Sequence, residues 1–83
     1  MKILNRVIDY IDDKEIKITL YINKMHILNY LEIIDFDDKK ITIKYNKGLI
    51  IIKGNNLMIS KLLNDEALIT GFIKTVEIGE NNE

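Results

Sequence analysis

The chain has 83 residues, 47% hydrophobic and 30% charged, enough for one small folded domain and too few for two. Twelve basic residues against 13 acidic leave a net charge of −1, without the clustered positive field that nucleic-acid binding relies on. There is no cysteine, so disulfides and thiolate chemistry are excluded, and the isoleucine-rich, proline-free composition favours strands.

Residues 2–13 place Ile3, Leu4, Val7, Ile8 and Ile11 at helical spacing, with Lys2, Asn5, Arg6, Asp9 and Asp12 between them. The pattern predicts an amphipathic helix of about three turns, which at that length needs a surface to dock on. Its polar face is mixed rather than basic, which argues against a membrane-surface helix. The N-terminus lacks the apolar run of a secretory signal, and no segment approaches the ~20 apolar residues of a membrane span. The expectation is a soluble, intracellular protein without direct membrane insertion.

After Glu15 the period switches to two. Ile16, Ile18, Leu20 and Ile22 alternate with Lys17, Thr19 and Tyr21, as in a strand with one buried face. Asn23-Lys24 reads as a turn and Met25 to Leu28 as a return strand. Tyr30 to Phe36 forms the next strand, and Asp37-Asp38-Lys39-Lys40 a polar hairpin loop. Ile41, Ile43 and Tyr45 alternate with Thr42 and Lys44, then Asn46-Lys47-Gly48 makes a short connection. The 49–53 strand is followed by Gly54-Asn55-Asn56, a turn signature, and by Leu57 to Leu63. After the turn Asn64-Asp65-Glu66, Ala67 to Ile78 reads either as one strand bent near Gly71 or as two. Gly79 to Glu83 predicts a polar, frayed tail. Gly48, Gly54 and Gly71 are thus expected at structural turns.

Short strands with such brief connections favour antiparallel neighbours, because parallel crossovers need a dozen residues or more. The fold class is a single, mostly β domain: a meander over 16–78, curled into a barrel or two-layered sheet, with the N-terminal helix beside it. A β-solenoid is the runner-up. Leu49, Ile50, Ile51 and Ile52 are apolar on both parities, as are Leu68 to Ile73, so both faces of these strands need cover. Ile3, Val7 and Ile11 supply the spare apolar surface for a lid over 49–52. Where the lid is loose, that surface would take a partner, and exposed edge strands offer a route to homo-oligomers.

Candidates for chemistry are few. His26 is the single histidine and Ser60 the single serine. Ser60 lacks a nucleophile-elbow setting, and a hydrolase would have to pair His26 with Asp35 or Asp37. Asp35, Asp37 and Asp38 lack the spacing of a calcium loop, so no metal site is expected. The glycines form no phosphate cradle, and the aromatics lack the positive groove of a nucleic-acid platform. The reading is of a non-enzymatic protein that needs no cofactor.

One resemblance adds to this. From Asn29 to Ile78 the order of features is similar to the YabP/YqfC family of endospore-formation proteins. It is carried by Asn29-Tyr30, Lys40-Ile41-Thr42-Ile43-Lys44, the run from Gly48 to Leu57, Asp65-Glu66, Ile69-Thr70-Gly71 and the closing strand Ile73 to Glu77. The short amphipathic start and the Asn-Tyr pair resemble the YqfC branch, although that branch often has a proline before its first strand and this chain has none. The resemblance implies a structural or adaptor protein of the mother cell, in its cytoplasm or peripheral at the forespore membrane. It would act in spore envelope or cortex assembly through protein partners, among them a membrane protein of the sporulation machinery. It carries over no catalytic residue. The alternative is a β module that binds a small ligand or glycan.

Overall fold

The fold is taken from a computed structural model, which describes residues 15–80. The helix expected over 2–13, with Ile3, Val7 and Ile11 as a lid, lies outside the described residues, as does the tail beyond Glu80. Six strands follow in chain order: β1 (Lys17–Leu20), β2 (Lys24–Leu28), β3 (Glu32–Phe36), β4 (Lys40–Tyr45), β5 (Gly48–Leu62) and β6 (Glu66–Glu80). They form one sheet in the order β1-β2-β6-β5-β4-β3, antiparallel at every junction. Strands β3 to β6 are a meander, and the β1–β2 hairpin adds to the free side of β6. The sheet does not close, which corrects the expected barrel, and its antiparallel order rules out the solenoid.

Three boundaries differ from the sequence reading. Gly54-Asn55-Asn56 is not a turn but the middle of the 15-residue β5. Gly71 lies inside β6, as in the reading of 67–78 as one strand bent there, but β6 runs on unbroken through Gly79 and Glu80, where a frayed tail was expected. The first strand ends at Leu20, so Ile22 leaves the buried face to which its parity assigned it.

The long β5–β6 ribbon is bent. Its register shifts at Lys53/Gly54, Asn55/Met58 and Ile59/Lys61, and bulges of this kind kink a strand and increase its twist. At the bend Gly71 has φ +126° and faces Asn56, itself at φ 54°. A side chain at Gly71 would be strained and would also strike the Asn56 carbonyl. Two hydrogen bonds show how far the ribbon folds: Leu31 N donates to Lys44 O (2.8 Å) and Asn29 N to Asp65 O (2.6 Å). Residues 29 and 31 lie at most about 7 Å apart. They tie Lys44, which pairs with Leu49 at the start of β5, to Asp65, just past its end.

The bend lets one face of the sheet bury itself. Ile41, Ile43, Ile50 and Ile52 from one arm join Met25, Ile27, Ala67 and Ile69 from the other in a single core with Leu57, Tyr30 and Tyr45. Burial of a large aliphatic contributes about 1.5–3 kcal/mol each. Tyr30 reaches across, its hydroxyl donating to Leu63 O at 2.5 Å. Burial, then the charge of Asp65, push its pKa above the ordinary phenol value.

Candidate interaction surface

The apolar run at the start of β5 divides by parity. Ile50 and Ile52 are fully buried, Ile51 is half-buried on the other face, and Leu49 is 42% exposed. The second face is therefore only partly covered among the described residues. Gly48 opens β5 opposite Glu80, where a side chain would collide with the Gly79 carbonyl, and Gly54 meets the Phe72 carbonyl in the same way. Both glycines serve close strand approach, Gly48 where the Asn46-Lys47 turn closes on Tyr45 and Gly54 in the middle of β5.

The residues considered for chemistry do not converge. His26 on β2 and Asp35 on β3 lie on opposite sides of the sheet, with β6, β5 and β4 between them. His26 Nε2 instead donates to Glu66 Oε2 at 2.5 Å, a pairing set by the β2–β6 register and not anticipated from the sequence. This hydrogen bond holds the Glu66 carboxyl below its ordinary value. Both side chains are about one-third exposed. Ser60 Oγ lies 2.7 Å from Thr70 Oγ1 on the neighbouring strand, and Asp37 is engaged by its own turn. Among the described residues no group of three or more His, Cys, Asp or Glu could hold a metal ion.

What the fold does build is an apolar groove at an open strand edge. β4 pairs with β5 only as far as Lys53, and the loop before β4 adds Gly54 N to Lys39 O (3.0 Å) and Leu57 N to Asp38 O (2.9 Å). Beyond that point no strand among the described residues pairs with this edge of β5, from Met58 to Leu62. Beside it runs a groove of about 520 Å³, lined by exposed Phe36, Met58 and Leu62, half-buried Ile59, and buried Ile41 and Leu57, with Asp37 and Asp38 at its rim. Leu62 also lines a second depression with Tyr30, Leu63, Asn64 and Asp65. The sequence reading put the partner surface at 49–52. Only the exposure of Met58 and Phe36 reveals the groove, and parity alone could not have found it.

Three of the hairpin turns close alike. Tyr21 N donates to Lys24 O (2.8 Å), Asp37 N to Lys40 O (2.9 Å) and Leu63 N to Glu66 O (2.7 Å). Asp37 Oδ1 also accepts from Lys39 N (2.7 Å) and Lys40 N (2.8 Å), which holds that carboxyl below its ordinary value. The β1–β2 turn carries Leu20, Tyr21 and Ile22, all at least half exposed.

Comparison with known families settles the lineage of this sheet. One family model, that of the YabP family, matches residues 12–83. The chain belongs to the YabP family. That family is associated with sporulation, and the match takes in the whole described sheet as well as the stretch from Asn29 to Ile78 that carries the resemblance. No curated protein and no solved structure matches the chain. Among the described residues no helix is long and apolar enough to cross a membrane.

Proposed function

We propose that this YabP-family chain is a non-enzymatic adaptor of endospore formation. It acts in the mother cell, in spore envelope or cortex assembly, by holding protein partners, one of them a membrane protein. Within the family we assign it to the YqfC branch, on the Asn29-Tyr30 pair. The observation that carries the adaptor reading is the groove beside Met58–Leu62. An open strand edge supplies backbone donors and acceptors, and the adjoining apolar groove supplies side-chain selectivity, the combination used when a partner adds a strand to a sheet. The same edges could pair two copies of the chain.

The test is genetic. Deleting the gene in the spore-former that carries it should lower the count of heat-resistant spores and leave vegetative growth unchanged. Complementation with the Met58→Asp, Leu62→Asp double variant should fail while the protein accumulates normally. Normal spore counts after deletion would remove the reading. Full complementation by the double variant would move the partner surface elsewhere.

A second reading has one observation in its favour. A groove of about 520 Å³ with two carboxylates at its rim falls within the size range of small-molecule sites. A ligand or glycan module would protect the groove amides on binding, without any partner chain.

A further inference from the structure

The β1–β2 turn breaks a rule that its counterparts keep. Each of the three turns has the same backbone closure, and the first of the two central positions is Ile22, Asp38 and Asn64 in turn. Asp and Asn are ordinary turn residues, because short polar side chains satisfy the local backbone. Isoleucine is not, and the two equivalent turns show that this geometry does not call for it. Ile22 is 95% exposed, with Leu20 at 57% and Tyr21 at 50% on the same tip. Folding gains nothing from an aliphatic side chain held in water.

The surroundings of the tip are apolar and basic. Asn23 O accepts from Gly71 N at 3.1 Å, which brings Phe72, 58% exposed, beside the turn. Lys24 Nζ sits 4.9 Å from the centre of the Tyr21 ring. Lys74 follows Phe72 by two residues. The chain has no acidic residue from Ile16 to Leu31, and none from Ala67 to Val76. Glu66, on the adjacent strand, is engaged by His26 two residues along β2 from Lys24, and Asp37 and Asp38 lie across β6 and β5, accompanied by Lys39 and Lys40.

From these observations we propose that the β1–β2 turn is a membrane-contact tip: Ile22, Leu20, Tyr21 and Phe72 enter the interfacial region of a lipid bilayer, and Lys24 and Lys74 meet anionic headgroups. Tyrosine at the water boundary and lysine extending towards phosphate are the side chains such an interface favours. An exposed apolar turn with a lysine beside it suits a flat, negatively charged surface, whereas a protein partner would need a matching pocket. The contact is peripheral, and it is independent of the groove and of the sporulation reading.

The experiment uses the full chain and vesicles of phosphatidylcholine with and without phosphatidylglycerol. The chain contains no tryptophan, so Ile22→Trp is a single fluorescent reporter and Asn64→Trp its control at an equivalent turn. The Ile22→Trp emission should shift to the blue on vesicles containing phosphatidylglycerol and be quenched by brominated acyl chains, while the Asn64→Trp emission stays unchanged. In flotation, Ile22→Asn should weaken vesicle binding by about tenfold. The Lys24→Gln, Lys74→Gln pair should remove the preference for phosphatidylglycerol and the sensitivity to salt. An unshifted Ile22→Trp emission overturns the proposal. So does an Ile22→Asn variant that floats as well as the parent. A concentration-dependent dimer that Ile22→Asn dissolves, without vesicle binding, would assign the tip to a second copy of the chain and likewise overturn it.

Discussion

The β1–β2 and β3–β4 turns have the same length and the same closing hydrogen bond, and both abut the bent centre of the β5–β6 ribbon. Their chemistry is opposite. Asp37 folds its carboxylate back onto Lys39 N and Lys40 N, and Asp38 O and Lys39 O hold Leu57 N and Gly54 N. Tyr21-Ile22-Asn23 has one such tie, from Gly71 N to Asn23 O, and otherwise exposes apolar side chains. One turn is occupied with the fold. The other satisfies the same backbone requirement and leaves its side chains free for something outside it.

The largest predicted effect lies at the bend that seats both turns. Gly71→Ala places a side chain at positive φ against the Asn56 carbonyl and should cost about 2–4 kcal/mol, measured by thermal or denaturant unfolding. Both turns would lose their seat, so exchange of the two amides that hold them, that of residue 71 to Asn23 O and that of Leu57 to Asp38 O, should accelerate together. Acceleration at one alone would separate the two turns.

Next comes the β3–β4 turn itself. Asp37→Ala removes the acceptor for two backbone N–H groups and should lower Tm measurably, by less than Gly71→Ala, with Asp37→Asn recovering much of the loss. The pH dependence follows from the same contacts. Asp37 is held below its ordinary 3.8 by the Lys39 and Lys40 N–H groups, and Glu66 below its ordinary 4.5 by the hydrogen bond from His26. Each binds protons more weakly folded than unfolded, so its stabilisation is present above the unfolded value and lost as pH falls through the folded one. Stability should decline from about pH 4.5 downwards. Asp37→Ala and Glu66→Gln should each flatten that acid limb. An unaltered limb would remove the contacts from the account.

Much of this sheet was legible along the chain, because period-two alternation marks strands wherever one face is buried. Ile41, Ile43 and Tyr45 fall on the buried parity as expected, although Thr42 between them is buried as well. The long strands were not legible. Gly54-Asn55-Asn56 carries the same local signal whether the chain turns or bulges, and only its pairing with Phe72 and Ile73 decides. Closure was not legible either, since nothing local to an edge strand names its neighbour. The His26–Glu66 contact joins residues 40 positions apart and depends on register. Ile22 misled the reading in an instructive way. Its parity extended β1 by two residues, and the structure puts it at the tip of a turn. The surface that parity marked, 49–52, is half core, whereas the groove and the tip both lie where apolar residues break the pattern of their own element.

The smallest predicted effect on stability is also the most direct test. A thermal melt of Ile22→Asn, which installs the residue that the equivalent turn carries at position 64, measures whether the fold uses that side chain at all. Its Tm should be unchanged to within about 2 °C, or slightly raised. A fall of about 5 °C or more would show that Ile22 is part of the packed structure and that the β1–β2 turn is not free for an outside contact.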